Sequence, residues 1–423
     1  MHALIQDAAY EALLKSHRAT YHRRIAQVLE ERFPALVEDQ PEIVARHYAL
    51  GGHPERAAHF WLRSGQHSLT RNAHVEAAAH LRSALAAVAE LPESNAKALA
   101  ELDVQIALGT ALVAARGYAS PDVETAWRRA QQLCAVVGNA PQLVPALFGL
   151  WMFETVRANH PAGLALSETI VQMAQAVQSE DLLIGAHLGM AISRFFLGDF
   201  ATACSSFDIV LSTYDAARHG GHRFQFGQDP AAIAHIYMAW IHWLQGDAER
   251  ADAVMEQATD FSRALEHPFT LSFVLTWNGW LRQYTGEGER ARELTDEVIH
   301  LCTDEQIPVF LAHGLVLAGW SSCADGAPDG PAELERALGV FKSTGSRCFL
   351  PYWHSFQADA LSARGAHDEA LALLAGAQAA MEASQERWAG PEVHRLHGQE
   401  RSEERRVGKE CGYQCRSRWS PYH

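Results

Sequence analysis

Strict alternation of apolar and polar residues, the mark of a half-buried strand, is missing from this chain, and β-branched runs are scarce. Apolar stretches of helical length are instead punctuated by short turns: Gly198-Asp199, Gly246-Asp247, Gly286-Glu287 and Gly365-Ala366. These turns lie 48, 40 and 79 residues apart, and the last gap divides in two at Ala327-Pro328-Asp329-Gly330. A period near 40 residues, each unit two helices about a turn, predicts an all-α fold: an α-solenoid of antiparallel helix pairs. Alanine supplies 71 of the 423 residues and all but four of the basic residues are arginine, so helix formers dominate.

Small residues test the pairing. Stepping back seven positions from each turn glycine gives Ala191, Ala239, Gly279 and Ala358; stepping forward five gives Ala203, Ala251, Ala291 and Ala370. All eight are small, as expected where two helices cross so closely that a larger side chain would push them apart. This is the packing logic of the tetratricopeptide repeat. Large contacts follow at Phe207, Met255 and Leu374, with Thr295 the exception. An earlier pair fits at Trp61 and Gly65, then Ala77, Leu81 and Ala84, and further pairs are expected around Gly117–Pro121 and Asn159–Pro161.

In such repeats the first helix of each unit lines a concave groove. The groove positions deliver Phe195, Trp240, Trp243, Trp280, Tyr284 and Tyr352, with Arg194 and Arg282 beside them. Trp with Arg is a pairing enriched at interface hot spots, so a protein or small-molecule ligand is expected there. The alternative is that the aromatics fill the wide core of long repeats. Residues 212–230 interrupt the pattern with a His-Gly-Gly-His tip and two exposed-looking phenylalanines, and are expected to be a long loop, either functional or disordered rather than a simple connector.

Charge and motif then narrow the function. The formal charge of −15 argues against binding nucleic acid through phosphate. No run of 18 apolar residues appears, since Leu182–Gly198 is broken by His187 and Arg194, so no membrane span is expected. The seven scattered cysteines suit a reduced, cytoplasmic setting. Among 23 histidines no His-Glu-x-x-His occurs; His219/His222 and His394/His397 lack further ligands, and Cys411/Cys415 have no second pair. His187, His235 and His354 read as packing residues. No metal site and no cofactor are therefore expected. Gly339-Val-Phe-Lys-Ser-Thr344 lacks the glycine a phosphate loop needs before its lysine, and Ser94-Asn-Ala-Lys97 has no companion motif. With no catalytic residues to name, the chain is expected to be non-catalytic.

Residues 1–33 carry His2-Ala-Leu-Ile-Gln-Asp-Ala-Ala-Tyr10, Leu13-Leu14, Arg18 and His22-Arg-Arg-Ile25-Ala. Further on stand Gln40-Pro-Glu-Ile-Val-Ala-Arg-His-Tyr48, Gly117-Tyr-Ala-Ser-Pro-Asp-Val-Glu124 and Phe226-Gly-Gln-Asp-Pro230. Together these resemble the winged-helix remnant and tetratricopeptide-like array of bacterial STAND-type signalling ATPases. The branch most similar carries an adenylate/guanylate cyclase domain before the ATPase. The resemblance covers residues 1 to 399 and implies a sensor array that restrains upstream ATPase and cyclase domains. Those domains, with their metal and nucleotide ligands, are not in this sequence, so a C-terminal fragment is expected. The sensor of an ATP-dependent transcriptional activator, or a free-standing scaffold, remains open. The expected organisation is a winged-helix remnant at 1–33, a solenoid at 34–399, and a tail at 400–423. With six basic and four acidic residues, that tail reads as foreign or disordered.

Overall fold

The computed structural model describes residues 14–138 and 140–402, and every regular element among them is helical. The motif His2–Tyr10 and tail residues 403–423, with Cys411 and Cys415, lie outside the described residues. Packing divides the chain into two compact units: residues up to 115 with 120–149, and residues from 150 onward with 116–119.

Unit one contains α1 (Lys15–Arg32), α2 (Pro34–Asp39), α3 (Pro41–Leu50), α4 (Pro54–Thr70), α5 (His74–Ala89), α6 (Asn95–Arg116) and α7 (Pro121–Val137). Four of these begin on proline, whose missing N–H costs nothing in the first turn. The α4/α5 pair is close because Gly65 faces Leu81: a Cβ at Gly65 would stand 2.5 Å from Leu81 Cγ. Gly109 on α6 plays the same part toward the Trp127 ring of α7. Helix α6 is long and apolar enough to cross a bilayer by composition. In this fold its Leu102, Val104, Leu108, Ala111 and Leu112 are buried in the protein.

The next helix, α8 (Ala140–Val156), contributes residues to both units. Unit two continues through α9 (His160–Val177), α10 (Glu180–Phe196), α11 (Phe200–Thr213), α12 (Ala216–His219), α13 (His222–Phe226), α14 (Pro230–Leu244) and α15 (Ala248–Ala264). It then runs through α16 (Pro268–Thr285), α17 (Gly288–Asp304), α18 (Pro308–Ala324), α19 (Gly330–Ser343), α20 (Leu350–Ser362), α21 (His367–Ser384) and α22 (390–402). Among the described residues, five of its hairpins share one kind of turn: α10/α11, α14/α15, α16/α17, α18/α19 and α20/α21.

Each hairpin turns on a glycine in the left-handed region: Gly198, Gly246, Gly286, Gly326 and Gly365 have φ between +71° and +88°. That conformation is strained for a side chain and free for glycine. The aspartate after Gly198 and Gly246 then caps the next helix: Asp199 accepts from Thr202 N at 3.3 Å and Asp247 from Arg250 N at 3.2 Å.

All eight small crossing residues, Ala191, Ala203, Ala239, Ala251, Gly279, Ala291, Ala358 and Ala370, are buried. Another tight crossing lies outside this set. At α18/α19 a Cβ on Gly319 would lie 2.6 Å from the Leu334 Cα, so the two backbones touch. Gly319 stands seven positions before Gly326, but Pro331 replaces the partner alanine, which hides the pair from sequence stepping.

Two expectations are corrected. Segment 212–230 is not a long loop but the short helices α12 and α13. Asp215 caps the first, and buried Asp229 caps α14 and accepts from the Tyr214 hydroxyl at 2.5 Å. His219 and His222 are buried there, while Phe224 is exposed as expected. The tail boundary at 400 also moves, because α22 runs through it. Val393 and Leu396 cover Ala370, Leu374 and Ala377 of α21, and buried Glu400 meets His367 Nδ1 at 2.8 Å.

Replacing a helix-interior glycine by alanine ordinarily stabilises by about 0.5–1 kcal/mol. Gly376→Ala, at an exposed site with nothing within 4 Å, should raise the melting temperature. Gly319→Ala should lower it, by about 1–3 kcal/mol of overpacking. Calorimetry of the two variants checks the opposed signs.

Candidate functional site

The expected groove residues sit on the first helices of successive hairpins, and most of them are inside unit two. Phe195, Trp240, Trp280 and Tyr352 are fully buried. Phe195 packs on Tyr237 (4.9 Å between ring centroids), Trp240 on Trp277 (5.9 Å), and Trp280 on Trp353 (5.0 Å). Trp243 and Tyr284 alone of the aromatic set stay half-buried at the edge, their rings 6.4 Å apart.

What covers this aromatic face is the chain itself. Two connections between hairpins fold inward, carrying Phe349 and Trp388. The Trp388 ring reaches Tyr352 at 5.1 Å, Trp240 at 5.4 Å and Phe195 at 6.0 Å. Phe349 lies 5.0 Å from Trp280 and 5.6 Å from Phe196. Backbone hydrogen bonds pin both turns to distant helix ends. Arg347 N and Cys348 N donate to Val156 O at 2.8 and 3.0 Å, and Arg387 N donates to Phe196 O at 2.7 Å. Phe349 holds φ +72°, a conformation costly for an aromatic residue that the surrounding packing enforces.

The two candidate arginines are already engaged. Arg194 pairs with Glu168 (3.2 Å) and Asp199 (3.5 Å). Arg282, 6% exposed, meets Glu256 at 2.9 Å, Glu287 at 3.2 Å, Asp252 and the Asn278 Oδ1. Both are staples between neighbouring helices, with carboxylates occupying the donors a partner's acid would need.

Sequence reasoning missed Trp277, Trp353, Phe349, Trp388 and His313, which complete this interior. Trp277 was within reach, since it stands one helical turn before Trp280. His313 sits among Phe341 (4.9 Å), Trp280 (5.1 Å) and Phe349 (5.7 Å), and burial lowers its imidazole to about 3. His354 falls to about 4 through burial, with Lys342 adding to the effect. The expectation that no ligand cluster exists, drawn from local spacing, also overlooks His160, Cys348 and Glu386. The fold brings them together from the start of α9 and the two inward turns.

No family model matches the sequence. An uncharacterized protein of Rhizobium meliloti (strain 1021) is 23% identical over 378 residues, covering 88% of this chain and 36% of that protein. The chain thus spans about a third of the length of the curated relative it matches. Among solved structures, that of a Rap protein complexed with Competence and Sporulation Factor aligns with a TM-score of 0.53 at 10% identity. It covers 84% of this chain and 99% of that one. A STAND protein with a tetratricopeptide repeat sensor from Pyrococcus horikoshii aligns with a TM-score of 0.42 at 12% identity, covering 77% and 47%. The Rap likeness shows a shared fold, a helical-repeat array.

Trp280→Ala should cost about 3–5 kcal/mol in urea unfolding, whereas Trp243→Ala should cost about 1 kcal/mol or less. Equal, small losses would place Trp280 outside the core. Acid adds a second test. His313 and His354 take up protons in the unfolded chain near their ordinary value of 6.5 but stay neutral when folded. The unfolded state therefore holds more protons between those limits, and stability rises with pH. The urea midpoint should fall as pH drops from about 7 toward about 4, and His313→Phe should flatten the slope by about one proton.

Proposed function

We propose that this chain is a non-catalytic regulatory module that binds a protein or small ligand and, within a longer protein, controls an ATPase and nucleotide cyclase placed upstream. One observation carries the reading: the aromatic face of the second unit is covered by two of its own turns, through the Phe349 and Trp388 rings and three backbone hydrogen bonds. Such a face has two arrangements available, covered by the chain or open to a ligand. A ligand that binds the open one shifts the balance by its difference in affinity for the two. The binding face is then the aromatic surface under Phe349 and Trp388, with Trp243 and Tyr284 at its rim. By fold analogy alone, the Rap structure supports ligand capture, since it was determined with its factor bound. The much longer R. meliloti relative supports further domains in the parent protein.

The genomic frame 5′ of the Met1 codon should continue into an ATPase with phosphate-loop motifs and a cyclase. A DNA-binding domain there would favour a transcriptional activator, and unrelated coding sequence a free scaffold. In the longer protein, deleting residues 34–399 should raise basal ATP hydrolysis several-fold. Unchanged hydrolysis would overturn the regulatory role.

A further inference from the structure

Among the described residues, the interior of unit two contains a polar cluster that the aromatic packing does not explain. His160 begins α9, Cys348 precedes α20, and Glu386 lies in the turn before α22; each is 1% exposed. An imidazole nitrogen, the thiol sulfur and a carboxylate oxygen lie within 4.8 Å of one another, and His160 Nε2 stands 3.5 Å from Glu386 Oε2. Neither ring nitrogen of His160 has a hydrogen-bond partner, nor has Glu386 Oε2. Buried polar atoms left this way are costly, and a buried carboxylate is costlier still.

We propose that His160, Cys348 and Glu386 bind a divalent transition-metal ion of the zinc type. A thiolate with an imidazole selects such an ion over calcium or magnesium, which take oxygen donors. Thiolate and carboxylate together cancel its two positive charges, which lets the complex sit among aromatic rings. Metal–ligand bonds of about 2.0–2.3 Å place tetrahedral donors roughly 3.3–3.8 Å apart, so a contraction of about 1 Å closes the present triangle.

The supporting groups are those of a ligand shell. Trp388 Nε1 donates to Glu386 Oε1 at 2.6 Å, which orients the carboxylate and leaves Oε2 for the ion. Phe196 stacks on the His160 ring at 4.7 Å and holds its plane. Burial, with Glu386 nearby, keeps the Cys348 thiol protonated well above its usual range. Binding therefore exchanges the S–H bond for a metal–sulfur bond and releases the proton to solvent, with no change of oxidation state. The ion would tie both inward turns to the start of α9 and lock the closed arrangement. This inference stands on the cluster alone and does not depend on the partner or parent domains.

The test uses the full chain carrying Cys411→Ser and Cys415→Ser, stripped with a chelator and titrated with cobalt(II). One cobalt per chain with a thiolate-to-metal charge-transfer band, displaced by zinc, is the expected result. Cys348→Ser should lose the band, and Trp388→Phe should keep it while weakening affinity about 10–100-fold. Absence of the band in the parent protein, or its survival in Cys348→Ser, overturns the site and leaves a buried polar cluster without a metal. Should Cys348→Ser fail to fold, His160→Asn decides: a shifted cobalt spectrum with weaker binding supports the site, and an unchanged titration overturns it.

Discussion

Backbone-to-backbone contact between paired helices sets the rest of this structure. At α18/α19 the Gly319 position leaves no room for even one methyl group against Leu334, and alanines do similar work at the other crossings. A close crossing fixes the rotation of each helix, because only one face of it carries the small residue. That rotation decides which side chains point inward. On the first helices the inward face is aromatic, with Phe195, Trp240, Trp277, Trp280, Tyr352 and Trp353 brought to one side.

A continuous aromatic face of that size is not left in water, since each ring contributes a large apolar area. The chain covers it with two of its own turns rather than with a further layer of helices. Turns bring backbone polar groups with them. The amides of Arg347, Cys348 and Arg387 therefore find carbonyls at the ends of α8 and α10. The polar side chains carried inward at the same points, Cys348 and Glu386, are the ones left to be satisfied by other means.

Sequence shows the hairpins because their determinants are local. A left-handed glycine, a capping aspartate and small residues at fixed offsets all lie within a dozen positions of the turn. The same offsets fail at Gly319, where a proline takes the alanine's place and the contact falls on Leu334. Groove and core could not be told apart for Phe195, Trp240 and Trp280, since what covers them comes from residues near 349 and 388. His160, Cys348 and Glu386 are invisible to any spacing rule for the same reason. Segment 212–230 misleads in the other direction: its glycines suggest a loose excursion, but Asp215, Asp229 and buried histidines tie it down.

The inward turns also change how unit two should come apart. In an open array each repeat touches only its neighbours, so melting can begin at either end and spread. Here the Ser346 hydroxyl and two amides reach Val156 across about 190 residues of chain, tying late hairpins to the start of the unit. Loss of the terminal helices therefore removes support from α8 and α10 as well, and fraying from one end gives way to a single concerted transition. Long-range contacts of this kind also slow folding, because a large loop must close before they form.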